Sequence, residues 1–150
     1  MQYIQQFFSN RLIGVAVLSW AIAQVIKIIL DIIENKGFNA SLMLSSGGMP
    51  SSHTSFVTSL GFGVGFTQGF DTSAFALCFV LALVVMYDAA GVRRAAGKQA
   101  EVLNKLIQRF ENRDFKMEIK LKELLGHTPV EVGAGALLGF VMAFVFFVLL

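Results

Sequence analysis

Long apolar stretches fix the class of this chain before any single residue is considered. Segments 12–33, 54–70, 73–90 and 130–150 are long or apolar enough to cross a bilayer, against a need of about 17–25 residues for a helix. The second is short and carries Gly61, Gly63, Gly65 and Gly69, which makes it the weakest of the four. A soluble domain of 150 residues cannot hide 55% hydrophobic residues with 15% charged ones and a mean hydropathy of +0.68, so the chain reads as an integral membrane protein. The segment before the first stretch is too weakly basic for a signal peptide. The stretch itself holds Lys27 and Asp31 and has no small-residue cleavage site, so it is read as a mature span. The single cysteine, Cys78, lies in the third stretch and excludes an intrachain disulfide. The expected architecture is an all-α membrane protein. Four transmembrane helices form a bundle, with an amphipathic cytoplasmic helix between spans three and four, in one membrane-embedded domain over residues 1–150.

The net charge of +2 hides an asymmetry. Of 12 Lys and Arg, nine fall in one connection: Arg93, Arg94, Lys98, Lys105, Arg109, Arg113, Lys116, Lys120 and Lys122. The positive-inside rule puts that connection in the cytoplasm. The loop around 35–53 then shares its side, and the termini and the 68–72 turn face outward. Acidic residues interrupt the basic run and the membrane holds it at both ends, so nucleic acid is excluded as a partner in favour of lipid headgroups. Between Arg94 and Phe110 the apolar residues Ala96, Ala100, Leu103, Ile107 and Phe110 recur at helical spacing, opposite Arg94, Lys98, Glu101, Lys105 and Arg109. This predicts an amphipathic helix on the cytoplasmic leaflet or against the bundle, within a segment 93–126. Phe115, Met117, Ile119 and Leu121 alternate with polar residues, as a short strand or an extended link would. The spacings Gly61-x-Gly63-x-Gly65 and Gly135-x-x-x-Gly139 suit close helix packing, within one subunit or between copies in a homo-oligomer.

The polar residues inside this apolar frame converge. In up-and-down threading, the end of span one, the start of span two, the end of span three and the start of span four share one membrane face. Those places hold Lys27 and Asp31; Gly47-Gly48-Met49-Pro50-Ser51-Ser52-His53-Thr54; Asp88, Arg93 and Arg94; and His127 with Glu131. Lys27 and Asp31 lie four apart on one side of their helix, where they either neutralise each other or serve a site. The glycine-rich stretch before a helix starting at about Ser52 offers converging N–H groups and a positive dipole end to an anion. Thr128-Pro129-Val130-Glu131 fits a capping box, in which Glu131 serves the backbone, or a carboxylate that orients His127. Arg93 and Arg94 are either interfacial anchors or anion ligands. Two imidazoles, a carboxylate, an anion loop and several cations together suit phosphoryl transfer.

These residues resemble the type 2 phosphatidic acid phosphatase superfamily, which includes the vanadium haloperoxidases, and more closely its small divergent branch. The resemblance runs from Lys27 to about Gly139. It rests on Lys27, on Gly-Gly-Met-Pro-Ser-Ser-His at 47–53, on Tyr-Asp-Ala-Ala-Gly-Val-Arg-Arg-Ala-Ala-Gly-Lys-Gln-Ala at 87–100, and on Gly-His-Thr-Pro-Val-Glu-Val at 126–132. It implies that His53 is the acid for the leaving group, with Ser52 where the superfamily has glycine. It implies that His127 is the nucleophile, oriented by Glu131 where aspartate is usual, and that Lys27 grips phosphate oxygens. The superfamily's Arg-Pro after the lysine has no counterpart, and Leu121 and lysines stand where a Ser-Arg pair precedes the second histidine.

The expected activity is metal-independent and cofactor-free: a membrane lipid phosphatase working through a phosphohistidine, with its site at the cytoplasmic face. A glycerophospholipid monoester, such as phosphatidylglycerophosphate or phosphatidic acid, fits that face. Gly48, Ser51, Ser52, Lys27, Arg93 and Arg94 are the expected substrate ligands, with Asp31 and Asp88 supporting the cations. A noncatalytic lipid-phosphate binder or transporter is the alternative that the missing arginines favour and the retained His53, His127 and Glu131 disfavour.

Overall fold

The computed structural model describes residues 1–35, 48–110, 121 and 126–150, and every regular element among them is helical, with no strand. In chain order these are α1 (Gln2–Phe8), α2 (Arg11–Asn35), α3 (Ser52–Gln68), α4 (Ser73–Tyr87), α5 (Arg93–Phe110) and α6 (Pro129–Phe144). A π-helical turn, Asp88–Val92, joins α4 to α5, and a second one, Val145–Leu149, ends α6. Three of the described helices are long and apolar enough to cross a membrane: Arg11–Ile33, Ser73–Arg109 and Pro129–Leu149.

α3 lies outside that set, at 17 residues and with a run of small and hydroxylated side chains. It is nonetheless the centre of the bundle, packed against α2, α4 and α6. Ser52, Thr54, Ser55, Val57, Thr58, Ser59 and three of its glycines are buried. Composition and position explain each other. A helix enclosed by three others needs small side chains so that neighbouring backbones can approach, whereas bulky apolar residues are needed where lipid is the neighbour. Leu18, Val80, Leu83, Leu137 and Val141 on the surrounding helices are accordingly exposed.

α3 and α6 meet along a close seam. A Cβ built on Gly135 stands 2.4 Å from the Ser51 carbonyl oxygen, and one on Gly139 stands 2.6 Å from that of Ser55. The Gly135-x-x-x-Gly139 spacing thus packs helices within this subunit, on backbone that cannot give way. On the other flank of α3 the Ser19 and Ser55 hydroxyls meet at 2.6 Å, a buried polar link to α2.

At the end of the bundle formed by the C-termini of α3 and α6, phenylalanines fill the space. Phe62 meets Phe140 edge-on at 4.8 Å between ring centroids, Phe70 meets Phe75 at 4.9 Å, and Phe66 bridges Phe70 and Phe144. The Arg11 guanidinium at the start of α2 lies over the Phe146 and Phe147 rings at 5.1 and 5.6 Å. In the turn at 68–72, Thr72 caps α4 by accepting the Phe75 N–H.

The main departure from expectation is that the third span and the amphipathic helix are one continuous helix, Ser73–Arg109, joined through the π turn. The buried side of α5 is also rotated from the one predicted. Gly97, Ala100 and Asn104 are buried, while Ala96, Leu103, Val102 and Leu106 are exposed. The alternation from Phe115 to Ile119, the cations Arg113, Lys116, Lys120 and Lys122, and Gly47 of the glycine-rich stretch fall outside the described residues.

Candidate active site

The site is organised around the π turn. In an α-helix, residues five apart point about 140° away from each other, from 3.6 residues per turn. The wider π turn brings Arg93 back over Asp88, and the Arg93 Nε–H donates to Asp88 Oδ2. The same turn engages the chain before α6, because the Ala89 carbonyl accepts the His127 N–H at 2.9 Å. Such local expansions of a helix, which redirect its backbone groups, recur at functional sites.

Gly126 makes that contact geometrically feasible. It adopts φ +85°, and a Cβ on it would stand 2.3 Å from the Arg94 backbone nitrogen. The residue before the histidine therefore lies directly on the backbone of the long helix. A further clamp acts five residues before Gly126. The buried Asn104 amide donates to the Leu121 carbonyl at 2.8 Å, and its oxygen accepts the Leu121 N–H at 3.0 Å. Asn104 thus gives Leu121 the paired hydrogen bonds that a neighbouring strand would give.

His127 follows at 3% exposure, immediately before the start of α6. The capping box is present in full. Thr128 Oγ1 accepts the Glu131 N–H, and Glu131 Oε2 accepts the Thr128 N–H at 2.7 Å. The same Oε2 lies 3.3 Å from His127 Nδ1, so one carboxylate both caps the helix and orients the imidazole. With Nδ1 donating to Glu131, the lone pair lies on Nε2. Nε2 is buried and has no hydrogen-bond partner among the described residues. Burial pushes the His127 imidazole below the usual histidine range; Glu131 opposes this, and the Lys27 charge adds to it.

Lys27 is the second orphan. It is 3% exposed, and its Nζ has no hydrogen-bond partner among the described residues. Its stem runs beneath Gly48, whose added Cβ would stand 3.2 Å from Lys27 Cγ, and its charge acts on His53, His127 and Glu131. A buried, unpaired ammonium costs several kcal/mol, which a bound anion offsets.

The glycine-rich stretch closes the other side. α3 begins at Ser52, with Ser51 as its N-cap. Ser51 accepts the Thr54 hydroxyl at 3.0 Å, and its N–H donates to the Glu131 carbonyl at 3.0 Å. Ser51 and Ser52 are fully or nearly fully buried, whereas His53 is exposed at the rim. The Thr54 N–H is taken by the Ser51 hydroxyl, and the Ser52 and His53 N–H groups, which open the helix, add the positive end of its dipole.

Between these elements lies a cavity of about 260 Å³ lined by His53, Val84, Val85, Asp88, Ala89, Arg93 and His127. Both histidines and the Asp88–Arg93 pair therefore face one space, and Arg93 and Lys27 present positive charge to His53. Arg94 is half-buried and contributes its backbone to the Gly126 contact without lining the cavity. Asp31 is half-buried on α2, one turn beyond Lys27. Sequence reasoning missed Asn104, although a polar residue in register with Gly97, Ala100 and Ile107 on a buried stripe was a readable signal. It also missed the structural role of Gly126.

Comparison with known proteins bears on the family of the chain. The family described as the divergent PAP2 family matches residues 8–142. The uncharacterized membrane protein YuiD of Bacillus subtilis (strain 168) is 46% identical over 134 residues, covering 82% of this chain and 85% of the relative. No solved structure matches this chain.

Proposed function

The chain belongs to the divergent PAP2 family, and we propose that it is a metal-independent membrane phosphatase that hydrolyses a lipid phosphomonoester. The supporting observation is two buried groups without hydrogen-bond partners among the described residues, the Lys27 ammonium and the His127 Nε2 lone pair, near enough for the Lys27 charge to act on the imidazole. An anion with an electrophilic centre satisfies both. His127 Nε2 attacks phosphorus while Glu131 balances the imidazolium that forms, and Lys27, Arg93 and the α3 N–H groups hold the equatorial oxygens. The P–O ester bond breaks, and His53 delivers a proton to the departing alcohol oxygen. Neutral His53 then takes a proton from water, whose oxygen attacks phosphorus. The P–N bond breaks, inorganic phosphate leaves, and His127 returns to its starting state. In this reading Arg93 supplies the guanidinium that the superfamily draws from elsewhere.

In the same reading α3 is the fourth span. It extends about 25 Å at 1.5 Å per residue, and its neighbours shield its polar surface from lipid. The nine-cation connection supports a site at the cytoplasmic face of a multi-pass protein, where phosphatidic acid or phosphatidylglycerophosphate is the expected substrate. A cysteine at Lys105 in a Cys78-free protein should resist an impermeant thiol reagent in intact cells and react in inverted vesicles. The deciding experiment is phosphate release from these two lipids by purified protein in detergent, beside His127→Ala. Release that vanadate inhibits, that EDTA leaves unchanged and that the variant lacks supports the reading. Binding of either lipid without release would make the protein a lipid-phosphate binder.

A further inference from the structure

His53 stands at the junction of two spaces of opposite character. One is the polar cavity shared with Asp88, Arg93 and His127. The other is a groove of about 310 Å³ lined by Trp20, His53, Phe56, Val57 and Val85, in which His53 is the one titratable residue. Val85 lines both spaces, so they adjoin along the His53 side.

The groove has a direction. Trp20, exposed on the outer side of α2, lies seven residues before Lys27 along that helix, away from the end that carries the site. Phe56 and Val57 lie about one turn beyond His53 along α3, and Val85 lies three residues before Asp88 on α4. Each apolar lining residue is thus on the membrane-core side of a charged or titratable group of the site. At 1.5 Å per residue, Trp20 is about 10 Å deeper than Lys27. α3 forms the floor, and α2 and α4 supply the walls.

We infer that this groove holds an acyl chain of the substrate itself, with the leaving-group oxygen at His53 and the chain running down α3 beside Trp20 and Phe56. The inference rests on the phosphatase reading above, because it uses the position of the acid. A general acid stands beside the oxygen it protonates. The remainder of the leaving group therefore continues on the His53 side, where the walls are hydrocarbon and indole. A chain already in lipid gains little free energy from entering such a groove. The groove acts by orientation, fixing the ester oxygen against His53 and the phosphorus against His127. Trp20 and Phe56 are thereby specificity-determining residues for a lipid leaving group.

The test uses full-length protein in phosphatidylcholine nanodiscs, with phosphatidic acid carrying a diazirine midway along one acyl chain. After photolysis, mass spectrometry should locate adducts at Trp20 and at Phe56–Val57, at least tenfold above those from a diazirine phosphatidylcholine. Equal labelling by both probes would mean that bulk lipid fills the groove and would overturn the assignment, as would adducts elsewhere only. Turnover is scored separately on long-chain and dihexanoyl phosphatidic acid. Trp20→Ala and Phe56→Ala should each lower the long-chain to short-chain ratio of kcat/KM about tenfold, and an unchanged ratio in both counts against the groove. Absence of turnover by wild type on either lipid, with specific labelling intact, would sink the phosphatase reading while leaving the chain-binding groove in place.

Discussion

The two ends of α3 are built from the same helix and meet the same neighbours, yet they are stabilised in different ways. At its C-terminal end, phenylalanines from α3, α4 and α6 interlock edge to face, and Arg11 rests on two more rings. At its N-terminal end there is little bulk. Position is set there by backbone contacts: Ser51 to Glu131, His127 to Ala89, Gly126 on Arg94 and Asn104 on Leu121. Aromatic packing tolerates small shifts because dispersion is spread over many atoms. Hydrogen bonds to main chain fix a few atoms closely while leaving space beside them, which is what a reacting site needs.

Substitutions can separate these two modes. The largest effect is expected for His127→Ala and His53→Ala, each lowering phosphate release by about 10²-fold or more while gel filtration still shows folded protein. Near-wild-type release from either would remove that histidine from the chemistry. Next come the seam glycines. Gly135→Val and Gly139→Val press a side chain into α3 backbone and should each cost about 1–3 kcal/mol of stability. Activity per folded molecule should fall further for Gly135→Val, whose contact is the Ser51 carbonyl, and equal losses would show that the seam does not position the loop.

Glu131→Gln is expected to act more gently. Gln keeps the capping box, so the melting temperature should hardly move, while kcat drops about tenfold because the imidazolium loses its counter-charge, a loss in the range ascribed to orienting partners. Since Glu131 opposes the downward shift of His127, removing its charge lowers that pKa further. Neutral His127 then persists to lower pH, and the acid limb of the rate profile should move down. An upward move would contradict the assigned role. The smallest effect is expected from Phe66→Leu, about 1 kcal/mol of stability, with kcat and KM per folded molecule unchanged.

The helix starts were the most legible part of the sequence. The start of α3 at Ser52 and the Thr128-Pro129 cap of α6 follow from local rules that need no knowledge of neighbours. The co-location of Lys27, His53, Asp88 and His127 also followed, because up-and-down threading leaves few alternatives. α3 reads as the weakest span for the reason that makes it central: glycine, serine and threonine lower hydropathy and permit close approach together. The π turn left no trace. It depends on what packs against Ala89 and Arg94, and the partner, Gly126–His127, lies more than thirty residues away. The buried face of α5 differs from the apolar one because it includes the polar Asn104: the register of Asn104 with Gly97 and Ala100 is readable in the sequence, whereas the Leu121 backbone that compensates its burial is not.

The π turn also sets a phase. Each residue advances an α-helix by about 100°, so the turn decides which side of α5 faces the same way as the Ala89 carbonyl. Shortening the turn by one residue, for example by deleting Ala90, keeps every named site side chain yet swings all that follows by roughly that angle. Asn104 and the backbone under Gly126 would then sit on different sides of the helix from those the returning chain requires. The long helix behaves as a key whose teeth are cut correctly only for one setting of its shaft. The spacing between Asp88 and Arg93 is therefore as much a part of the site as either side chain.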